Sequence, residues 1–202
     1  AELKRITIGS NPSGSVFFLL ATGFAKLLQE KMKIKATAQP HAGSSVYLPL
    51  VDKGEITMGL NNSMDSALAY TGKAPFKKAY KNVRALARVW IIPYGFFVKA
   101  SSGITKVSQL RGKRVVTDIK SIVSLNMVNR AMLGSAGLTV KDVTELSSGG
   151  IVRNIDMVIQ GRADAAPAAY SMPAMRKAHA TVPGGIVFLE IGNQGSDAFF
   201  AE

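Results

Sequence analysis

Apolar and polar positions along the chain fall into a repeating order. Ile6-Thr7-Ile8 is a short β-type run that stops at Gly9, and Gly9 to Ser15 consists almost wholly of turn-forming residues. Beyond that loop Phe17, Leu20, Phe24 and Leu27/Leu28 recur at helical spacing, with Ser13 or Ser15 placed to cap the helix. The pattern then predicts a strand over 34–38, a small polar loop at His41 to Ser45, and a helix over 46–51 that ends before Gly54. A third strand over 56–60 closes on Asn61-Asn62, and a further helix covers about 64–70. Residues 83–99 predict one long β-rich stretch that contains Trp90, Pro93 and Gly95. After the turn at Ser101-Ser102-Gly103 the order restarts. It gives a strand over 114–117, a polar loop at Asp118 to Ser121, and a helix over 122–133 ending at Gly134. Next come a strand over 143–146, the loop Ser147-Ser148-Gly149-Gly150, a helix over 152–159 ended by Gly161, and strands over 163–169 and 186–189.

Both halves thus run strand, Gly/Ser loop, helix, strand, Gly/Ser loop, helix, Gly, strand. Alternating strands and helices predict an α/β protein with mixed sheets flanked by helices. Two such lobes joined near 96–102 would enclose a cleft. In open α/β sheets ligands bind beyond the carboxyl ends of the strands, where these Gly/Ser loops lie. The candidate ligand-binding residues are therefore Ser13, Gly14, Ser15 and Phe17 on the first loop and helix, Ser44 and Ser45 on the second, and Asn61 and Asn62 on the third. The second half adds Ser121, Ser124 and Ser147. Trp90 and Tyr170 are candidate aromatic walls, with core packing as the alternative. Taken singly, each loop also reads as an ordinary strand-to-helix turn; their convergence carries the argument. A helix opening on such a loop offers backbone N–H groups and a positive dipole end to a carboxylate or phosphate. No Gly-Lys-Ser/Thr follows the first loop, so it is not a P-loop, and it lacks the third Gly of a dinucleotide fingerprint.

Composition narrows the chemistry. The 202 residues contain no Cys and two His, His41 and His179, which excludes disulfides, thiolate metal sites and a thiol nucleophile and argues against multi-His metal sites. No Gly-x-Ser-x-Gly elbow, His-Glu-x-x-His or carboxylate pair lies on the loops; Asp65 and Asp118 are the acids near them. Catalysis, a metal and a cofactor are therefore not expected. There are 25 Lys and Arg against 13 Asp and Glu, a formal charge of +12. The excess sits mostly in residues 1–100, which hold 14 basic and 5 acidic side chains. The basic residues are scattered Lys rather than a block, so a solvated face that attracts anions is favoured over nucleic-acid binding. Arg84 and Arg88 are possible carboxylate partners, and His41 a possible contact or base. The longest apolar run, Val16 to Ala21, is far short of the roughly 18 residues a membrane span needs.

The chain resembles the TAXI group of solute-binding proteins that serve TRAP transporters. The resemblance rests on Ile6-Thr7-Ile8-Gly9-Ser10 with Gly14-Ser15-Val16-Phe17, the Gly43-Ser44-Ser45 loop, and Gly54-Glu55-Ile56-Thr57-Met58-Gly59-Leu60-Asn61-Asn62. It continues in Asn82 to Ala87, Leu110 to Val115, Ala136-Gly137-Leu138 with Asp142-Val143, and Gly161 to Ala166. It implies a two-lobed periplasmic-binding-protein type II fold with the ligand cleft between the lobes: lobe 1 over 1–98, lobe 2 over 99–188, and a second crossover with the start of a return to lobe 1 over 189–202. It implies no catalysis. It implies capture of a small organic anion or amino acid for an ion-driven membrane permease, export to the periplasm, and a signal peptide already removed. The second-lobe loop Asp118-Ile119-Lys120-Ser121-Ile122 is poorer in Gly than the family pattern, which leaves the ligand open. Such receptors continue well beyond this length. The expectation is either a piece of a longer chain or a natural short form that dimerises. An enzyme or a sensory effector domain on the same fold are the alternative readings.

Overall fold

The computed structural model describes residues 5–193, which divide into two compact units, the first ending at Trp90 and the second beginning at Ile91.

The first unit is built on a parallel sheet. Strand β1 (Arg5–Ser10) pairs with β2 (Lys35–Pro40) on one side and the short β3 (Met58–Gly59) on the other. Helix α1 (Val16–Met32) crosses from β1 to β2, and its Ala21 and Ala25 pack with Ile6, Ile8 and Ala36 of the sheet. Small residues on the helix face let its backbone approach the strands closely. Ser15 caps α1, its hydroxyl accepting from the Phe18 N–H at 3.1 Å. Helices α2 (Ser44–Asp52) and α3 (Ser63–Thr71) follow β2 and β3, and Tyr47, Leu48, Ile56, Ala69 and Phe76 form a second core between them.

That second core depends on two bare positions in the sheet. Gly9 and Gly59 are register partners, and the Tyr47 ring lies over both. A Cβ would come within 3.1 Å of the ring at Gly9 and 2.9 Å at Gly59, closer than side chains pack. The ring ends with its hydroxyl donating to the Leu60 carbonyl.

The second unit has a mixed sheet. Strand β4 (Tyr94–Lys99) runs antiparallel between β7 (Ala166–Ala169) and β8 (Ile186–Phe188). Strands β5 (Arg114–Ile119) and β6 (Thr144–Ser148) are parallel, and a parallel bridge from Val115 to Ala165 joins β5 to the approach to β7. Helices α4 (Ser124–Gly134), α5 (Ile151–Ile159) and α6 (Pro173–Thr181) connect them. The core gathers Phe96, Val98, Val107, Leu110, Val115, Leu133 and Ala165. Asn154 of α5, itself fully buried, donates to the Pro167 carbonyl at 2.9 Å and accepts from Ser148 at 2.5 Å.

Two expectations differ from what forms. Of the long β-rich stretch over 83–99, only β4 is a strand; residues 83–93 have no regular secondary structure, and Leu86, Val89 and Ile91 are 83%, 49% and 67% exposed. β-Branched and aromatic residues favour strands only where a neighbouring strand completes the ladder, and among the described residues none lies beside this segment. Helix α6, conversely, is not signalled by the apolar pattern: only Met175 and Ala178 of its nine residues are buried, too few for a helical stripe to register. Pro173 at its first turn is the local cue to it. Of the expected crossover over 189–202, Leu189 and Glu190 pair with Phe96 and Thr105 of the second unit, and residues 194–202 lie outside those described.

Candidate functional site

The parallel pairing of β1, β2 and β3 brings their carboxyl ends to one edge of the first sheet. The loop after β1, the loop after β2 and the turn after β3 therefore emerge together, and the His41 N–H donates to the Ser10 carbonyl at 2.8 Å, tying two of them. Ser13, Gly14, Ser15, Phe17, Ser44, Ser45, Asn61 and Asn62 are all gathered at this edge. They do different things there. Ser13 is exposed, Gly14 holds a positive φ of 88° in the turn, and Phe17 is half-buried. Ser15 is committed to capping α1. The Asn61 amide donates to the Asn62 carbonyl at 3.0 Å and to the Ser66 hydroxyl.

Ser44 and Asn62 turn towards a residue absent from the expected set. The Ser44 hydroxyl and the Asn62 amide (2.7 Å) both donate to Oδ2 of Asp65, whose N–H in turn donates to Asn62 Oδ1 at 2.7 Å. Asp65 is 0% exposed, and its Oδ1 has no hydrogen-bond partner. Among the described residues no basic side chain pairs with it. Burial, and behind it the charge on Asp65, hold the Tyr47 phenol well above its ordinary range. The His41 ring stands 5.7 Å from that of Tyr47, and burial lowers its pKa, favouring the neutral imidazole. The signal for Asp65 in the sequence is its spacing: Asn at the helix cap followed three residues later by an acid.

The second unit repeats the arrangement with other partners. Parallel β5 and β6, with β7 joined in the same direction, send the loops after Ile119, Ser148 and Ala169 to one edge of that unit. Ser121, Ser124, Ser147 and Tyr170 lie there. Ser121 is buried and its hydroxyl has no partner, whereas Ser124 is buried at the start of α4. Ser147 donates to Asp118 at 2.6 Å. Asp118 also accepts from Asn126 at 2.9 Å and pairs with Lys120. Burial raises its pKa, but the bonds from Lys120, Ser147 and Asn126, with the Lys120 charge, outweigh burial and hold the carboxyl below its usual range. Tyr170 is 65% exposed, its ring 5.2 Å from that of Phe188. Trp90 is half-buried at the end of the irregular stretch, and Arg84 and Arg88 are exposed, Arg84 donating to the Val83 carbonyl at 2.9 Å.

Six buried side-chain atoms among the described residues have no hydrogen-bond partner: Asn11 Oδ1, His41 Nε2, Ser45 Oγ, Asp65 Oδ1, Ser121 Oγ and Ser171 Oγ. Every one sits on a loop or in a first helical turn at the carboxyl edge of its own sheet. Buried polar groups are nearly always satisfied, so six orphans confined to these loops mark the edges as unusual. Four helices that start there, α2, α4, α5 and α6, also lack a side-chain cap, which leaves their first N–H groups without that partner.

Solved structures resemble the chain over nearly its whole length. The alkanesulfonate-binding protein SsuA of Xanthomonas axonopodis pv. citri, bound to MOPS, matches with a TM-score of 0.65 and 21% identity over 96% of this chain and 63% of that one. An ancestral arginine-binding protein bound to glutamine matches at 0.62 and 14% identity, over 99% and 89%. PhnD1 of Prochlorococcus marinus, in complex with methylphosphonate, matches at 0.62 and 12%, over 95% and 74%. The chain thus spans less than two thirds of the SsuA structure. No curated protein sequence matches closely enough to count as a relative. The likeness shows the fold to be that of type II periplasmic-binding proteins, α/β units with mixed sheets flanked by helices. The profile of the NMT1-like family matches residues 8–195, and the chain belongs to that family.

Proposed function

We propose that the chain is the solute-recognising part of a periplasmic transport receptor and takes a small acid or amino acid. In this reading the two units, divided at Trp90 and Ile91, act as the lobes, and residues 189–202 lead back towards the first. Each carboxyl edge then offers its own unengaged polar groups to a solute. The observation that carries the reading is the confinement of the six orphaned polar atoms to those edges. Uncapped helix starts supply N–H groups and a positive dipole end for the acid group. Ser45 and Ser121, whose hydroxyls are unengaged, are the best placed of the expected residues to complete its shell. The molecules held by the three structural neighbours each carry a sulfonate, carboxylate or phosphonate. A solute that binds only the closed arrangement of two lobes shifts the population towards it, and a permease can read that difference. The TAXI resemblance makes that permease one of the TRAP type.

Thermal-shift and calorimetric titration with amino acids, 2-oxoacids, dicarboxylates, sulfonates and phosphonates tests this. One class is expected to stabilise the protein, and Ser45→Ala and Ser121→Ala each to weaken it by about tenfold, the loss of one hydrogen bond to a charged group. A folded chain stabilised by none of these classes would sink the reading.

A further inference from the structure

Asp65 is the one acid at either edge that is fully buried, and no basic side chain among the described residues stands beside it. A carboxylate in that setting is costly unless paired and hydrogen-bonded. Ser44 and Asn62 satisfy Oδ2 and leave Oδ1 with nothing. Asn11 Oδ1, from the loop after β1 at the same edge, is in the same condition, and Asn11 is only 3% exposed. Both atoms can only accept hydrogen bonds. Ser45 Oγ and His41 Nε2, at the same edge, are unpartnered too. Two acceptor-only oxygens, one of them carrying charge, call for a positively charged donor.

Resting on the receptor reading above, we propose that Asp65, assisted by Asn11, recognises a cationic nitrogen on the solute, an ammonium or guanidinium group, so that the solute carries a positive group as well as its acid. The orphaned atoms lose no internal hydrogen bond when the loops part to admit it. Pairing the solute's charge with Asp65 removes the penalty that the buried carboxylate otherwise carries. The basic character of the first half does not oppose this, because among the described residues no Lys or Arg pairs with Asp65.

The test is calorimetry on the full chain with matched pairs that differ only in the amino group: L-glutamate and glutarate, L-alanine and propionate, taurine and ethanesulfonate, 2-aminoethylphosphonate and ethylphosphonate. In any pair that binds, the amino member is expected to bind about tenfold tighter or more, and Asp65→Asn to bring the two to near equality. Asn11→Ala is expected to narrow the gap partly. If Asp65→Asn does not fold, the ratio in the unaltered protein and the Asn11→Ala result still decide. Equal binding within pairs, or tighter binding of the amine-free member, overturns the role of Asp65 and leaves the receptor reading standing. Binding of neither member of any pair to a folded chain overturns both.

Discussion

Asp65 and Asp118 occupy corresponding ground, each at the carboxyl edge of a sheet and each accepting a hydrogen bond from a serine of a neighbouring loop. Their surroundings differ. Asp118 keeps part of its surface in water and is matched by Lys120, Ser147 and Asn126, so its charge is answered from within its own unit. Asp65 is sealed from water, has two neutral donors on one oxygen and none on the other. The first arrangement stabilises the fold. The second stores a cost, and such costs collect at functional sites, where a ligand can repay them. Residue type alone does not separate the two aspartates; the difference lies in what the tertiary structure sets beside each.

The largest expected effect tests whether the second unit's polar interior is structural throughout. Asn154→Ala strips Ser148 and the Pro167 carbonyl of their buried partner and should cost about 2–4 kcal/mol, read as a lowered denaturation midpoint for that unit. A smaller loss would mean that water replaces the amide and that this interior is as open as the first unit's edge.

A second test sets the aspartates against each other without solute. Asp118→Asn removes the attraction to Lys120 at a partly exposed pair and should cost about 0.5–1 kcal/mol. Asp65→Asn keeps acceptor and shape while discarding a buried charge, so the melting temperature should match or exceed that of the unaltered protein. A clear loss at Asp65 would make it a structural group like Asp118.

The smallest effect is in pH dependence, followed by amide exchange in each unit. Asp118, Asp142 and Asp164 all have depressed pKa values. For Asp142 the leading cause is the Thr139 N–H, and for Asp164 the Arg114 side chain. The unfolded chain takes up these protons first, so their contribution is full above the ordinary aspartate value of 3.8 and is lost as pH falls through the lower folded values. His41 is kept neutral by burial, and the unfolded chain protonates it from its ordinary 6.5 downwards. The first unit should therefore begin to weaken below about pH 6.5 and the second only below about pH 4, with His41→Gln removing the earlier loss. Parallel decline of both units would erase the contrast.

Much of the local architecture was legible in the chain. Ser15 was one of two expected caps for α1 because capping needs only its own next few N–H groups. The order of elements followed from apolar spacing, and the gathering of the loops followed from that order once the strands were taken as parallel. Residues 83–93 carry strand propensity without a partner strand, so the pattern predicts a strand that does not form. Asp65 reads from the chain only as an acid near the loops, since its tie to Ser44 spans 21 residues.

The boundary between what the residues dictated and what the fold decided follows the reach of each interaction. Caps, turns and helical stripes act over a few residues, so the chain itself determined where α1 begins, where the Gly/Ser loops fall and that catalysis has few groups to work with. Hydrogen-bond satisfaction acts across any separation the fold brings together. Only the tertiary structure could commit Ser44 and Ser147 to carboxylates while leaving Ser45 and Ser121 unengaged, because nothing in a serine's sequence neighbourhood tells which distant acid will stand within 3 Å of it.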